Sequence, residues 1–134
     1  MEPANALPDA APAAEPAASG PLRLTAEELA KFVGDDAEPR IFISVRGHIF
    51  DVTSGRDFYG PGEGYSVFAG REASRAPGKM QISAAECNAG WANLSEEHAK
   101  TLGEWEAKYK EKYTIVGEFI PDSEFETRGA ALEP

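Results

Sequence analysis

The sequence predicts an α+β domain in which a small sheet and helices gathered on one side of it make a cleft. Three stretches point to this architecture. Two short apolar runs at 41–45 and 48–52 meet at Arg46-Gly47 and read as a β-hairpin. Leu102, Trp105, Tyr109 and Tyr113 recur at spacings of three and four, with Ala99 beginning the series, and mark the inward stripe of a helix. YTIVGEFI at 113–120 then reads as a closing strand.

The elements follow in order. Residues 1–21 are rich in Ala and Pro, and Pro3, Pro8, Pro12 and Pro16 break any helix the alanines support. They are expected to be a disordered tail. Thr25 and Glu28 form a capping box that opens a short helix with Leu29 and Phe32 on its apolar face, and Gly34 ends it. A two-residue turn at Arg46-Gly47 pairs Val45 with His48, Ile43 with Phe50 and Ile41 with Val52, turning one apolar face to the core. Phe42, Ser44, Ile49 and Asp51 lie on the other face. Residues 53–64 read as loop, with Gly and Pro supplying its turns. Two short helical pieces are expected at 65–70 and 71–76, ending near Pro77-Gly78, while 81–94 is ambiguous. Ser95 caps the long helix, whose first turn carries Glu96 and Glu97 where the helix dipole favours them. The domain is expected to span 22–120, and 121–134 to fray as a disordered acidic tail.

At 134 residues the chain holds one domain with tails, large enough to fold without staples. Its formal net charge of −10 disfavours nucleic acid and anionic lipid and favours a basic partner surface. The single Cys87 excludes an internal disulfide and fits a reducing compartment. No run approaches the ~20 apolar residues of a membrane helix, and no signal-peptide pattern opens the chain. A soluble, cytoplasmic protein is expected. Enzyme signatures are missing: there is no phosphate-binding GxxxxGK motif, no HExxH, no Cys pair for zinc, and no spacing that supports a Ser/His/Asp triad. A non-catalytic role is therefore expected.

The most specific stretch is 49–76, IFDVTSGRDFYGPGEGYSVFAGREASRA. It holds Phe50-Asp51-Val52-Thr53, Phe58-Tyr59-Gly60-Pro61, Tyr65, Phe68-Ala69-Gly70, and Glu72 before Ala73-Ser74-Arg75. This pattern resembles the membrane-associated progesterone receptor family, a branch of the cytochrome b5-like fold that binds haem and has been linked to steroids. The resemblance implies haem b held in an open cleft with Tyr65 as the axial iron ligand. It also implies Tyr59 as a hydrogen-bond partner of the Tyr65 oxygen, Lys112 as a partner for a haem propionate, and Tyr113 as a nearby donor. Haem-thiolate monooxygenases, a steroid or other sterol, and a haem-mediated homodimer are the partners it suggests. Many members of that family carry a membrane helix before the domain, and a soluble member without one is expected here; the sequence has no His-Pro-Gly-Gly motif of true cytochrome b5.

Tyr65 is chemically suited to the role the resemblance gives it. A phenolate is a hard anionic donor that favours Fe(III), and Tyr-ligated haem has precedent in other folds. The simpler alternative is a tyrosine packing a loop against a helix. Tyr59 likewise either steadies Tyr65 or only packs the loop, Lys112 either binds a propionate or is a solvated helix-end cation, and Tyr113 either donates to a ligand or ends the core stripe. His48, on the hairpin, and His98, in the first turn of the long helix, lie outside the loop expected to face haem. Trp105 is expected in the core, Phe68 in either core or pocket, and Glu72 as a solvated surface carboxylate.

Overall fold

Strands β2 (Phe42–Val45) and β3 (His48–Asp51) pair antiparallel in the expected register, Ile43 with Phe50 and Val45 with His48. The structure is a computed structural model that describes residues 22–134, so the expected tail at 1–21 lies outside the described residues. The hairpin turn places both Arg46 (φ 51°) and Gly47 (φ 83°) in left-handed backbone. That geometry suits the right-handed twist of the strands, but it is unfavourable for Arg. Two side chains from a distant segment hold the turn: Arg46 N–H donates to Ser74 Oγ at 2.7 Å, and Gly47 N–H donates to Glu72 Oε2 at 3.0 Å.

Glu72 is thus not the solvated carboxylate expected of it. It is fully buried, and its Oε2 also accepts from Ser44 Oγ at 3.2 Å and Ser74 Oγ at 2.8 Å. The residues around 72 were expected to be helical. Instead, Glu72 bridges Ser44 in parallel, and helix α3 (Arg75–Gly78) starts only at Arg75, the last residue of the motif.

The sheet has four strands in the order β1-β4-β3-β2. β4 (Thr114–Ile120) is the expected closing strand, antiparallel to β3, with a register shift that leaves Val116 as an extra residue. β1 (Leu22–Thr25) runs parallel to β4 and carries too short a pattern to be read as a strand beforehand. It approaches closely because residue 117 is Gly: a Cβ there would stand 2.3 Å from the Leu22 carbonyl oxygen. Gly117→Ala is therefore expected to displace β1 and cost about 1–3 kcal/mol. Urea unfolding measures this, and an unchanged midpoint would exclude so close an approach.

Both faces of the sheet are covered, whereas the sequence placed helices on one side only. Ile43, Val45, Phe50 and Val52 pack into the main core. On the opposite face Phe42, Ile49, Val116 and Phe119 pack under α1 (Ala26–Leu29) and a C-terminal helix, α5 (Phe125–Ala130). The capping box of α1 forms as expected, with Glu28 N–H donating to Thr25 Oγ1 and Thr25 N–H to Glu28 Oε1. The existence of α5 corrects the expectation that 121–134 frays. Phe125 is 2% exposed and stands edge-on to Trp91, with ring centroids 5.8 Å apart. One anchored aromatic residue outweighs the polar composition that suggested a loose tail, because burying such a ring is worth about 1.5–3 kcal/mol.

On the cleft side, residues 53–64 are not loop throughout. A 3₁₀ turn (Thr53–Gly55) leads into helix α2 (Arg56–Tyr59), and further 3₁₀ turns occupy Ser66–Phe68 and Ala84–Glu86. The long helix α4 (Glu96–Lys112) is capped by Ser95, whose Oγ accepts from His98 N–H at 3.2 Å. Its buried stripe is Leu102, Trp105 and Tyr109, continued by Tyr113 just past its end, while Ala99 is exposed and lies off the stripe.

Candidate ligand-binding cleft

Three segments far apart in sequence wall one cleft. The turn after α2 contributes Tyr65 and Phe68, the segment from α3 onward contributes Pro77, Met80 and Ile82, and α4 contributes Trp105. The hollow is open to solvent and measures about 120 Å³, below the ~300–1,000 Å³ of enclosed small-ligand sites, so a larger ligand would stand partly outside it. Met80 and Ile82 form an exposed apolar rim, 57% and 59% accessible. Met80 sits in left-handed backbone at φ 56°. Trp105 and Phe68 are both core and cleft wall, so the distinction drawn from sequence does not hold for them.

Tyr65 is the hydroxyl-bearing residue of the wall. Its N–H donates to the Phe58 carbonyl at 3.0 Å, and its ring lies 5.9 Å from Phe68 and 6.3 Å from Tyr59. Tyr59 stands behind it, completely buried, and accepts a hydrogen bond from Tyr109 Oη at 2.5 Å. Tyr113 packs edge-on against Tyr109 at 5.1 Å. Its hydroxyl is buried against Gly55, where a Cβ would stand 2.7 Å away, and has no hydrogen-bond partner among the described residues. Lys112, the last residue of α4, is half-buried beside it. The structure thus brings Tyr59 and Tyr65 together directly, and reaches Tyr113 through Tyr109.

Burial governs the electrostatics. Loss of solvent is the main cause that raises the Tyr59, Tyr109 and Tyr113 phenols well above the usual tyrosine range, so all three are neutral hydroxyls at any physiological pH. Neither histidine lines the cleft. His48 Nδ1 lies 3.0 Å from Glu118 Oε2 on the far strands, and His98 sits in the first turn of α4. Among the described residues no cluster of three or more His, Cys, Asp or Glu is placed to hold a metal ion. A largely apolar, open cleft with the Tyr65 oxygen and the Gln81 amide on its wall suits a hydrophobic ligand that carries a few polar groups. The Tyr65 oxygen is also a donor for a hard metal centre such as ferric iron.

Sequence reasoning missed Tyr109, which was assigned only to the core stripe, and missed Met80 and Ile82. The stripe spacing pointed at Tyr109, but its hydroxyl partner lies fifty residues away in sequence.

Residues 25–119 match the family profile "Cytochrome b5-like Heme/Steroid binding domain". The chain is 40% identical over 99 residues to an Arabidopsis thaliana protein named "Probable steroid-binding protein 3", covering 74% of this chain and 99% of that one. It is 38% identical over 101 residues to the human "Membrane-associated progesterone receptor component 2", covering 73% of this chain and 45% of that one. Like that human protein, the plant membrane steroid-binding proteins it matches are spanned over only about a third to a half of their length. An Arabidopsis thaliana protein solved as hypothetical, with a cytochrome b5 like fold, superposes with a TM-score of 0.70 at 37% identity, over 81% of this chain and 99% of that one. No helix among the described residues is long and apolar enough to cross a membrane. With its four-stranded sheet, its cleft and these relatives, the chain belongs to the cytochrome b5-like haem/steroid-binding domain family, in the branch of the membrane-associated progesterone receptor components.

Proposed function

We propose that this domain is a regulatory module that binds haem b in the cleft, with the Tyr65 oxygen as the iron ligand. The observation that carries the proposal is the position of Tyr65: among the described residues it is the one hydroxyl on a largely apolar wall, and it is backed by the buried Tyr59. Tyr59 steadies the ligating oxygen by hydrogen bonding. Lys112, at the end of α4 and outside the cleft wall itself, would pair with a haem propionate, and the adjacent Tyr113 would be a donor nearby once its buried hydroxyl turns toward the ligand. Bound haem b would supply a Lewis-acidic, redox-active iron. The residues supply an anionic oxygen, a dry aromatic wall and neutral hydroxyl donors.

The exposed rim of Met80 and Ile82 leaves one side of the site apolar and accessible, which suits contact with a second liganded copy or with a haem-thiolate monooxygenase. Such partners would bring the protein to endoplasmic reticulum membranes from the cytoplasm. Among the described residues the cleft wall carries no paired nucleophile and base, and we read the module as binding rather than catalytic.

Titration of the haem-free protein with ferric haem, followed by absorbance, tests the proposal. Wild type is expected to bind one equivalent and Tyr65→Phe to lose it. Because phenolate holds Fe(II) poorly, dithionite is expected to release the haem. Retention through reduction would refute tyrosine ligation. A steroid in the same cleft is the second possibility, favoured by its apolar walls and by the printed names of the relatives. It predicts steroid-dependent stabilisation of haem-free protein, with Tyr65→Phe nearly silent.

A further inference from the structure

Tyr109 is not among the residues that the family resemblance points to, yet it is tied to the cleft. Its ring is enclosed edge-on by Phe50 at 5.4 Å, Trp105 at 6.1 Å and Tyr113 at 5.1 Å. Packing alone would be met by Phe. The hydroxyl must find a partner to be tolerated there, and the partner is Tyr59 Oη, 2.5 Å away. Each phenol has one proton to donate. When Tyr109 gives its proton to Tyr59, the Tyr59 proton is left for another acceptor. The neighbouring ring at 6.3 Å that also lines the cleft is Tyr65.

We propose that Tyr109 is a positioning residue: by donating to Tyr59 it directs the Tyr59 proton toward the Tyr65 oxygen, stabilising negative charge there when that oxygen ligates a hard metal centre. This rests on the haem reading above. The chain of donors runs from Tyr109 through Tyr59 to Tyr65, so Tyr109 acts on the ligand without touching it. Phe at 109 keeps the ring and removes the first donor. Tyr59 then loses the incoming hydrogen bond that polarises its O–H, and donates more weakly.

The test compares wild type, Tyr109→Phe, Tyr59→Phe and the double variant, each loaded with ferric haem. Two quantities are read: the haem dissociation rate into excess apomyoglobin, and the phenolate-to-iron charge-transfer band. Tyr109→Phe is expected to raise the rate about 5-fold, the worth of one hydrogen bond, and to shift the band. In the Tyr59→Phe background it is expected to change neither. An unchanged rate and band in Tyr109→Phe overturns the assignment, and so does an equal effect in the Tyr59→Phe background, which would mark a packing role. A wild type that takes up no haem refutes the haem reading itself, an outcome distinct from either of these.

Discussion

Arg75→Met is expected to destabilise the domain by about 3–5 kcal/mol, the cost of breaking a buried ionic network on one side. Arg75 has no exposed surface. Its Nε donates to Glu86 Oε1 at 3.0 Å and its Nη1 to the Gly90 carbonyl at 3.1 Å and to Asn93 Oδ1, while Nη2 reaches the Glu133 carbonyl at 2.5 Å. One planar guanidinium therefore ties α3 to the 86–93 segment and to the end of the chain. Met fills the volume but takes the donor from the Gly90 carbonyl, the Asn93 amide oxygen and one oxygen of the Glu86 carboxylate, while the Glu133 carbonyl keeps Lys79 Nζ at 2.7 Å. Lys79 still reaches Glu86 Oε2 at 3.1 Å, which softens the loss of charge but not of geometry. Lys at 75 is expected to rescue only partly, since its point charge cannot fork as Arg does. Urea unfolding measures the effect as a lower midpoint with an unchanged slope. A loss below ~1 kcal/mol would show that the network is satisfied without the guanidinium.

The second large effect is on pH dependence. Desolvation raises the Glu72 carboxyl from 4.5 to about 7, against the opposing pull of its hydrogen bonds from Gly47, Ser74 and Ser44. Oε1 has no partner among the described residues. The nearby Cys87 thiol is pushed up to about 12 by burial and stays neutral. Between pH 4.5 and about 7 the folded protein holds a proton on Glu72 that the unfolded chain releases. Stability from this group is therefore full below pH ~4.5 and falls as pH rises, levelling off above about 7. The fall amounts to about 3 kcal/mol. Glu72→Gln keeps an acceptor for the turn and removes the titration. The variant is expected to equal or exceed wild type at pH 8 and to lose that advantage at pH 4.5. Parallel stability curves for the two proteins across this range would show that Glu72 ionises at no cost.

These two residues change the meaning of the motif that led to the family. Glu72, Ser74 and Arg75 read in sequence only as part of the family pattern, with no structural role attached. In the fold they brace the hairpin turn and the chain end, away from the cleft. The signature's first half, with Tyr59, Tyr65 and Phe68, does build the cleft and its backing. A sequence motif records which residues are needed together, not which of them touch the ligand.

Legibility followed contact distance along the chain. The hairpin register, the caps of α1 and α4 and the stripe of α4 were readable because each depends on residues within a few positions of one another. The α+β class and the candidacy of Tyr65 followed from these and from the family pattern. The edge strand β1, the packed helix α5, the burial of Glu72 and the pairing of Tyr109 with Tyr59 were not readable. Each depends on partners that the chain brings together only on folding, and a short or polar segment gives no local sign of them. Sequence by itself determined which faces are apolar, since periodicity is a property of neighbouring residues. Only the tertiary structure decided which side chains meet across the cleft and which polar atoms are cut off from water, because burial and hydrogen bonding depend on position in space.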